Sequence, residues 1–532
     1  MLARSGRLIR GDAAIFVALA IWTFAPLAAT AVYVASNGGV LTGVNGADFF
    51  DQFQYLAWIR DEGSHLLASD LWVIGGTPHD YVQPMYLISG LLWRLGLSLQ
   101  VAYLIWKPVA LLVLFDGSAA YVRRHVRPRW TAAAALAVAL FYESPLYALA
   151  SWTGHLSGVH RLELVLSTDD ATSALNLWGF EHSAIAIGLM PVFLLATERL
   201  LAGAEGQRRI GRRLTAVSAA SGLLVAWLHP WQAVTLLVIV AVVWARRPSR
   251  PRLLALGVPA FATVLPLLYG VALSRFDPWW SSFQTQSTTT GTGPWWALLA
   301  SLGLLVALAG AGARRPRSDG DWMLLLWPPA CAAVYLFVPQ FPPHALAGVT
   351  VPLAILAVRG WGRLRTAIGA PRRIAAGLAI AALLLAIVPA AIFHGQGVGD
   401  DLAASAQGAF AQQEFRLTAD QAAALAYLNQ TPRPGGVLAP WLLSISIPGL
   451  TGRPVYAGHP QWQPRANAPT AGAFFDPATA DRTGALHRAI LRRSAAAFVV
   501  GDCGSPPSLG RDLAPVARVV RRAGCVTIYA VR

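Results

Sequence analysis

The sequence predicts a polytopic α-helical membrane protein that carries a small C-terminal α/β domain outside the membrane. Three observations predict it. The chain of 532 residues is 55% hydrophobic and only 13% charged, with a mean hydropathy of +0.50, which is too apolar for a soluble enzyme. Apolar runs begin near Ala13, Gln100, Trp130, Ser183, Leu214, Trp231, Leu253, Trp295, Asp321, Ala345 and Ile374, and several approach the roughly 20 residues that cross a bilayer. After Phe393 the composition changes abruptly from Ala/Leu/Ile runs to a mixed globular pattern.

The basic residues give these runs a direction. Arg4/Arg7/Arg10, Arg123/Arg124/Arg127/Arg129, Arg208/Arg209/Arg212/Arg213, Arg246/Arg247/Arg250/Arg252, Arg314/Arg315/Arg317 and Arg359/Arg363/Arg365/Arg372/Arg373 occur at every second connection. The positive-inside rule places them in the cytoplasm and the intervening connections outside. The formal charge of +16 is spread over these clusters rather than gathered in one patch, so it calls for membrane lipids and no nucleic acid. About eleven spans follow, with residues 1–394 as the membrane domain and 395–532 as an extracytoplasmic domain of a multi-pass plasma-membrane protein. The first run follows a basic segment, yet it is long for a signal-peptide core and lacks a clean small-x-small cleavage site. It is expected to stay as an anchor.

The first outer loop, residues 36–99, is too long for a connector. Its apolar stretch Tyr86 to Trp93 is short for a span and is expected as a helix in the outer interface. In the tail, Thr418 to Leu428 has an N-capping Thr and a helical apolar period. Gly436–Pro440 and Pro454–Gly458 read as short strands bounded by Gly and Pro. Leu486 to Ser494 reads as a helix, and Ala495–Gly501 and Cys525–Val531 as strands. Strands alternating with helices predict the α/β domain. Of the three cysteines, Cys331 lies in an apolar run and is expected to pack there. Cys503 and Cys525 both fall in the outer tail, where a disulfide and two free thiols are both open.

The outward connections hold the chemistry. The first contains Asp48, Asp51 and Tyr55, and the second His155, His160, Glu163, Asp169 and Asp170, ending in Trp178-Gly-Phe-Glu181-His182. Others contain His229-Pro-Trp-Gln232, then Arg275, Asp277, Trp279 and Trp280 among Ser, Thr and Gln, then Pro342-Pro-His344. Aromatic rings mixed with a few acids suit a sugar, which stacks on rings and hydrogen-bonds to carboxylates. Tryptophan also anchors at a membrane interface without any ligand.

An inside amino terminus, one span, a long outer loop with an acidic residue soon after it, many further spans and an outer α/β tail resemble the GT-C superfamily of integral-membrane glycosyltransferases. Asp51-Gln-Phe-Gln-Tyr55 resembles the Asp-(Glu)-x-x-Tyr element of several first loops in that group, with Gln52 in place of the Glu. Thr451 to His459 is similar to a stretch of bacterial GT-C-like proteins. The Trp-Trp-Asp sequence of oligosaccharyltransferases is replaced by Asp277-Pro-Trp-Trp280, in reversed order, which argues against transfer to Asn-x-Ser/Thr sites.

The resemblance implies a polyprenyl-phosphate sugar donor and a glycan, lipid or protein acceptor, since nucleotide sugars are absent outside the cytoplasm. Inverting transfer needs a base for the acceptor hydroxyl and cationic or metal help for the departing phosphate. Asp51 is the expected base, with Asp48 second; an Asp in this place equally fits a helix cap. Tyr55, Asp169, Asp170, Glu181, His182, His229, Arg275 and Arg465 are the expected substrate-binding residues. A divalent cation, Mg²⁺ or Mn²⁺, would fall to Asp51, Asp169 or Asp170. Glu181 also suits a helix N-terminus, and a helix-end histidine such as His182 or His229 also fits a plain structural hydrogen bond. A lipid-linked sugar flippase would need charges lining a pathway, for which Lys107 and Asp116 are the obvious residues. A catalytically silent envelope scaffold would keep the same hydropathy. No zinc-protease, P-loop or dinucleotide motif occurs.

Overall fold

The structure is a computed structural model that describes residues 10–45, 49–145, 170–203, 208–288, 295–369, 371–407, 416–479 and 483–532. All eleven apolar runs are helical. Helices Gly11–Ser36, Leu99–His125, Glu181–Leu201, Arg250–Phe276, Trp295–Gly312, Asp319–Phe337 and Arg373–Ile392 are long and apolar enough to cross a membrane. Helices Arg129–Phe141 and Pro230–Ala245 are shorter, and Arg208–Leu228 and Thr350–Ile368 carry arginines near one end. The chain divides into two compact units.

The first unit comprises residues 1–25, 106–272 and 287–397. Its helices approach through small residues. A Cβ on Gly117 would lie 1.9 Å from the Gly188 carbonyl oxygen, and one on Gly312 1.8 Å from that of Leu356. Glycine at these crossings lets backbones touch, as helix pairs in a bilayer require. Several buried charges are paired. Lys107, wholly buried, meets Glu181 at 2.7 Å and donates to the Leu177 carbonyl at 2.8 Å. Arg123 meets Asp12, and Arg252 binds Asp319 through both terminal nitrogens at 2.8 and 3.1 Å. Trp22 stacks on His394 with centroids 4.0 Å apart.

The second unit gathers residues 26–105, 273–286 and 398–532. Helix Phe49–His65 is its axis and is buried along nearly its whole length. The short apolar stretch of the first loop is a helix of 11 residues, Pro84–Arg94, capped by the Gln83 side chain. It lies so close to the axis helix that a Cβ on Gly90 would fall 2.4 Å from the Ile59 carbonyl oxygen. Strand β1 (Val40–Leu41) pairs antiparallel with β2 (Arg416–Leu417).

In the tail, helix Ala419–Gln430 starts at Thr418 with a capping box completed by Gln421. β3 (Val437–Leu438), β4 (Phe498–Gly501), β5 (Ala517–Ala523) and β6 (Val526–Val531) form a sheet of order β3-β4-β6-β5. β3 runs parallel to β4, and the other pairs are antiparallel. The stretch Pro454–Gly458, read as a strand, contributes only a single bridge, Val437 to Val455, because prolines and glycines bound it too tightly for a ladder. Helix Ala485–Ser494 packs on the sheet through Ile490 and Leu491, in a core with Phe474, Val499 and Leu513. Cys503 and Cys525 are joined as a disulfide, with Cα atoms 5.0 Å apart. Cys331 is free and buried.

Candidate functional site

Asp51 sits in the first turn of helix Phe49–His65, where a carboxylate is favoured by the helix dipole. Its side chain is 35% exposed, and Oδ1 lies 3.4 Å from Nε2 of His459, a buried residue. The Gln461 backbone N–H donates to His459 Nδ1 at 3.2 Å. With Nδ1 occupied as an acceptor, the ring proton resides on Nε2 and faces Asp51. The imidazole is packed by Trp72 at 5.4 Å and Phe50 at 6.3 Å, both edge-on. The carboxylate thus has a buried imidazole 3.4 Å away on one side and is partly open to solvent on the other, which suits a proton acceptor for a hydroxyl.

The residues that accompany Asp51 in the sequence do other work. Tyr55 is buried and stacks on Tyr86 at 5.1 Å. Gln52 is wholly buried; its Oε1 accepts from the Asn45 N–H at 2.9 Å and from the Tyr103 hydroxyl at 3.4 Å. Asp48 lies outside the described residues.

A second group of carboxylates in the same unit escaped the sequence reading as a group. Asp70 is buried, its Oδ1 accepts from the Trp72 N–H at 2.8 Å, and its Oδ2 has no hydrogen-bond partner among the described residues. Burial, reinforced by the charge of Asp277, pushes the Asp70 carboxyl up to about 8. Asp80 is also raised, by burial and by Asp277. Rings collect beside them: Trp58 and Tyr81 are 4.4 Å apart, Tyr81 and Trp280 4.7 Å, and Trp280 and Trp462 5.2 Å. The indole N–H groups of Trp280 and Trp462 are buried with no acceptor among the described residues. Trp58 and Trp462 are themselves buried, and Tyr81 and Trp280 are partly exposed, so only part of this aromatic cluster meets solvent. The only sequence signal was the pairing of Asp277 with Trp280 in one outer loop. Arg275 and Arg465 are both exposed.

In the first unit, four residues read from three outward connections come together. His344 Nδ1 lies 3.1 Å from both oxygens of Asp170. The His344 ring is 5.4 Å from that of His229, which stands 6.4 Å from His182. Gln232 ties the group down by donating to the carbonyls of His344 and Ala347 at 2.8 and 3.0 Å. Burial, helped by the imidazoles of His344 and His182, holds His229 well below the usual histidine range, so it is an uncharged ring. Glu181 is paired with Lys107. Asp169, with His155, His160 and Glu163, lies outside the described residues. Among the described residues, neither Asp51 nor Asp170 belongs to a group of three or more carboxylates and imidazoles close enough to share a cation.

No protein-family model matches the chain, and no curated protein matches it by sequence. Solved structures do. The arabinofuranosyltransferase AftD from Mycobacteria aligns over 99% of this chain and 42% of its own, at 16% identity and a TM-score of 0.56. The oligosaccharyltransferase of Archaeoglobus fulgidus aligns over 96% of this chain and 73% of its own, at 12% identity and a TM-score of 0.51. Both belong to the group that the sequence resembles. At these identities the likeness is one of fold, and the fold is that of the GT-C integral-membrane glycosyltransferases.

Proposed function

We propose that the protein is a glycosyltransferase. In this reading it moves a sugar from a polyprenyl-phosphate donor to a glycan, lipid or protein acceptor of the cell envelope, on the extracytoplasmic face of the plasma membrane. Asp51 is its general base. The observation that carries the reading is the setting of Asp51. It is a partly exposed carboxylate at a helix start, beside the Nε2 of a buried histidine, in a chain with a membrane-glycosyltransferase fold.

The chemistry follows from those positions. Asp51 takes the proton of the acceptor hydroxyl as its oxygen attacks the anomeric carbon, and the bond to the lipid phosphate breaks. His459 keeps the carboxylate in place. The exposed guanidinium groups of Arg275 and Arg465 are the proposed partners of the phosphate. Trp58, Tyr81, Trp280 and Trp462 are the proposed sugar platform, with Tyr55 packed behind them. Asp48 is proposed to assist Asp51 through charge. In the first unit, taken by itself, His182 and His229 are the proposed binders of a phosphate or an acceptor hydroxyl, with Asp169 and Asp170 as the proposed acids of that unit. The flippase alternative loses its best residue, because Lys107 is already matched by Glu181 and a carbonyl.

Comparing membrane glycolipids and cell-wall sugars between a deletion strain and its parent identifies the transferred sugar. The purified protein is then assayed with that lipid-linked donor, with and without Mg²⁺ or Mn²⁺. Asp51→Asn keeps the shape and caps a helix as well as Asp but removes the base. Turnover is expected to fall about 10²–10⁴-fold with normal membrane insertion. Undiminished transfer by the variant removes Asp51 from the chemistry.

A further inference from the structure

We propose that Asp61, His65 and His79 form a binding site for a divalent transition metal of the zinc class. The site lies at the C-terminal end of helix Phe49–His65, away from its first turn. Asp61 and His65 are four residues apart on one helix face, as the period of an α-helix requires for neighbouring side chains. Oδ1 of Asp61 lies 2.8 Å from His65 Nδ1, and Oδ2 lies 3.4 Å from His79 Nδ1. One donor atom from each of the three residues falls within 4.8 Å of the others. Zinc bound tetrahedrally at about 2.0–2.2 Å needs ligand atoms roughly 3.3–3.6 Å apart, so small side-chain rotations bring the set to that spacing.

The surroundings suit ligation better than a plain hydrogen-bonded trio. Asp61 is buried and its carboxylate is fixed from behind: Oδ2 accepts from the Ser69 N–H at 2.7 Å and from the Ser69 hydroxyl at 2.8 Å. Such outer hydrogen bonds orient a ligand carboxylate and tune its basicity. His65 and His79 are exposed, with rings 4.1 Å apart. Both aim the same nitrogen, Nδ1, at the carboxylate, which leaves Nε2 free to carry the ring proton. His79 Nδ1 is also 3.2 Å from the Leu67 carbonyl, a contact that metal binding would replace. Two imidazoles and one carboxylate match the preference of zinc and its neighbours over Mg²⁺ or Ca²⁺, which take oxygen ligands.

The backbone is built to hold this geometry. Leu66, directly after the helix, takes a left-handed φ of 70°, a conformation that a branched side chain adopts only under constraint. The reversal returns the chain so that Ala68 bridges Tyr81 and His79 meets His65. A metal there would join the end of the helix to the loop 66–81, which carries Asp70 and Trp72.

The test uses the full chain, purified in detergent through a tag without histidine and stripped with chelator. Zinc sulfate is titrated by calorimetry, bound metal is counted by mass spectrometry, and magnesium chloride is the comparison. One equivalent of zinc is expected, with a raised unfolding temperature and no such response to magnesium. His65→Ala and His79→Ala, both at exposed positions, are each expected to weaken zinc binding at least about 100-fold. His79→Cys, which keeps a ligand in place, is expected to restore it. His344→Ala, in the other histidine cluster, is expected to leave it unchanged. Zinc uptake that survives the His65→Ala/His79→Ala pair, is lost in His344→Ala, or is absent from the parent protein overturns the proposal. Metal content and unfolding are read without any transfer assay, so the result is independent of the glycosyltransferase reading.

Discussion

Asp70 is expected to make stability fall as the pH rises, and Asp70→Asn to remove that fall. The carboxyl is buried, keeps one oxygen without a partner among the described residues, and has its pKa raised from 3.8 to about 8 by burial and by Asp277. Between those two values the folded protein holds a proton that the unfolded chain has released, so the sign is fixed. The contribution of the protonated carboxyl is fully present below pH 3.8 and is lost as pH climbs through about 8. The slope is about 1.4 kcal/mol per pH unit, or about 3 kcal/mol between roughly pH 5.5 and 7.5. Asparagine still accepts the Trp72 N–H and resembles the protonated acid in shape, so its own contribution is flat. Unfolding of both proteins in detergent, followed by tryptophan fluorescence at the two pH values, gives the difference. Other raised groups such as Glu62, pushed up to about 9, are common to both proteins and cancel. The stability of Asp70→Asn relative to the parent should rise by about 3 kcal/mol between them. Parallel curves for the two proteins would refute the reasoning. Asp277→Asn should flatten the parent's slope from a lower pH, because removing the neighbouring charge lowers the Asp70 pKa.

Two other outcomes are expected. Lys107→Met leaves Glu181 buried and unpaired and should cost about 3–5 kcal/mol, whereas Lys107→Met/Glu181→Gln should recover most of it; equal stability of the single and double variants would show that the pair is not coupled. Reporter fusions after Arg129, Arg213 and Arg373 should read as cytoplasmic and one after Gly501 as external; a cytoplasmic signal at Gly501 would reverse the side assigned to Asp51.

Much of the helical framework was legible because a membrane helix satisfies its backbone within one segment. Its signal is therefore local, and each of the eleven apolar runs is found as a helix. Thr418 and Gln421 announced their helix for the same reason, since a capping box is contained in four residues. What the sequence hid depends on packing. Trp441–Thr451 is rich in Ile and Ser and contains Pro448, a pattern without helical period. It is nonetheless a helix, buried against Leu56 and Ala57 through Gly449. Strand β5 reads Ala-Arg-Val-Val-Arg-Arg-Ala and breaks alternation with a bulge between Val519 and Arg521. Charges and a bulge are what an edge strand uses to avoid further pairing, and they erase the signature that would reveal it.

The Asp51–Tyr55 spacing shows how far a short motif reaches. Four residues apart on a helix, the two side chains share a face at sequence level, and that spacing carries the resemblance to first loops of the GT-C group. The structure divides the pair by depth. Asp51, in the first turn, keeps a third of its surface in solvent, while Tyr55, one turn deeper, is buried against Tyr86 and Tyr103. Gln52 belongs with Tyr55, because its side chain carries the Asn45 N–H and the Tyr103 hydroxyl. A carboxylate at that depth would need its own desolvation offset, which the neutral amide avoids. The amide at Gln52 thus serves this unit's core without an ionisable group, and it leaves Asp51 as the described first-turn carboxylate. Its orienting partner, His459, comes from the far end of the sequence, inside the stretch Thr451 to His459 that shares the resemblance. Two motifs that are unrelated as strings thus meet at one carboxylate, a relation that only the folded chain makes visible.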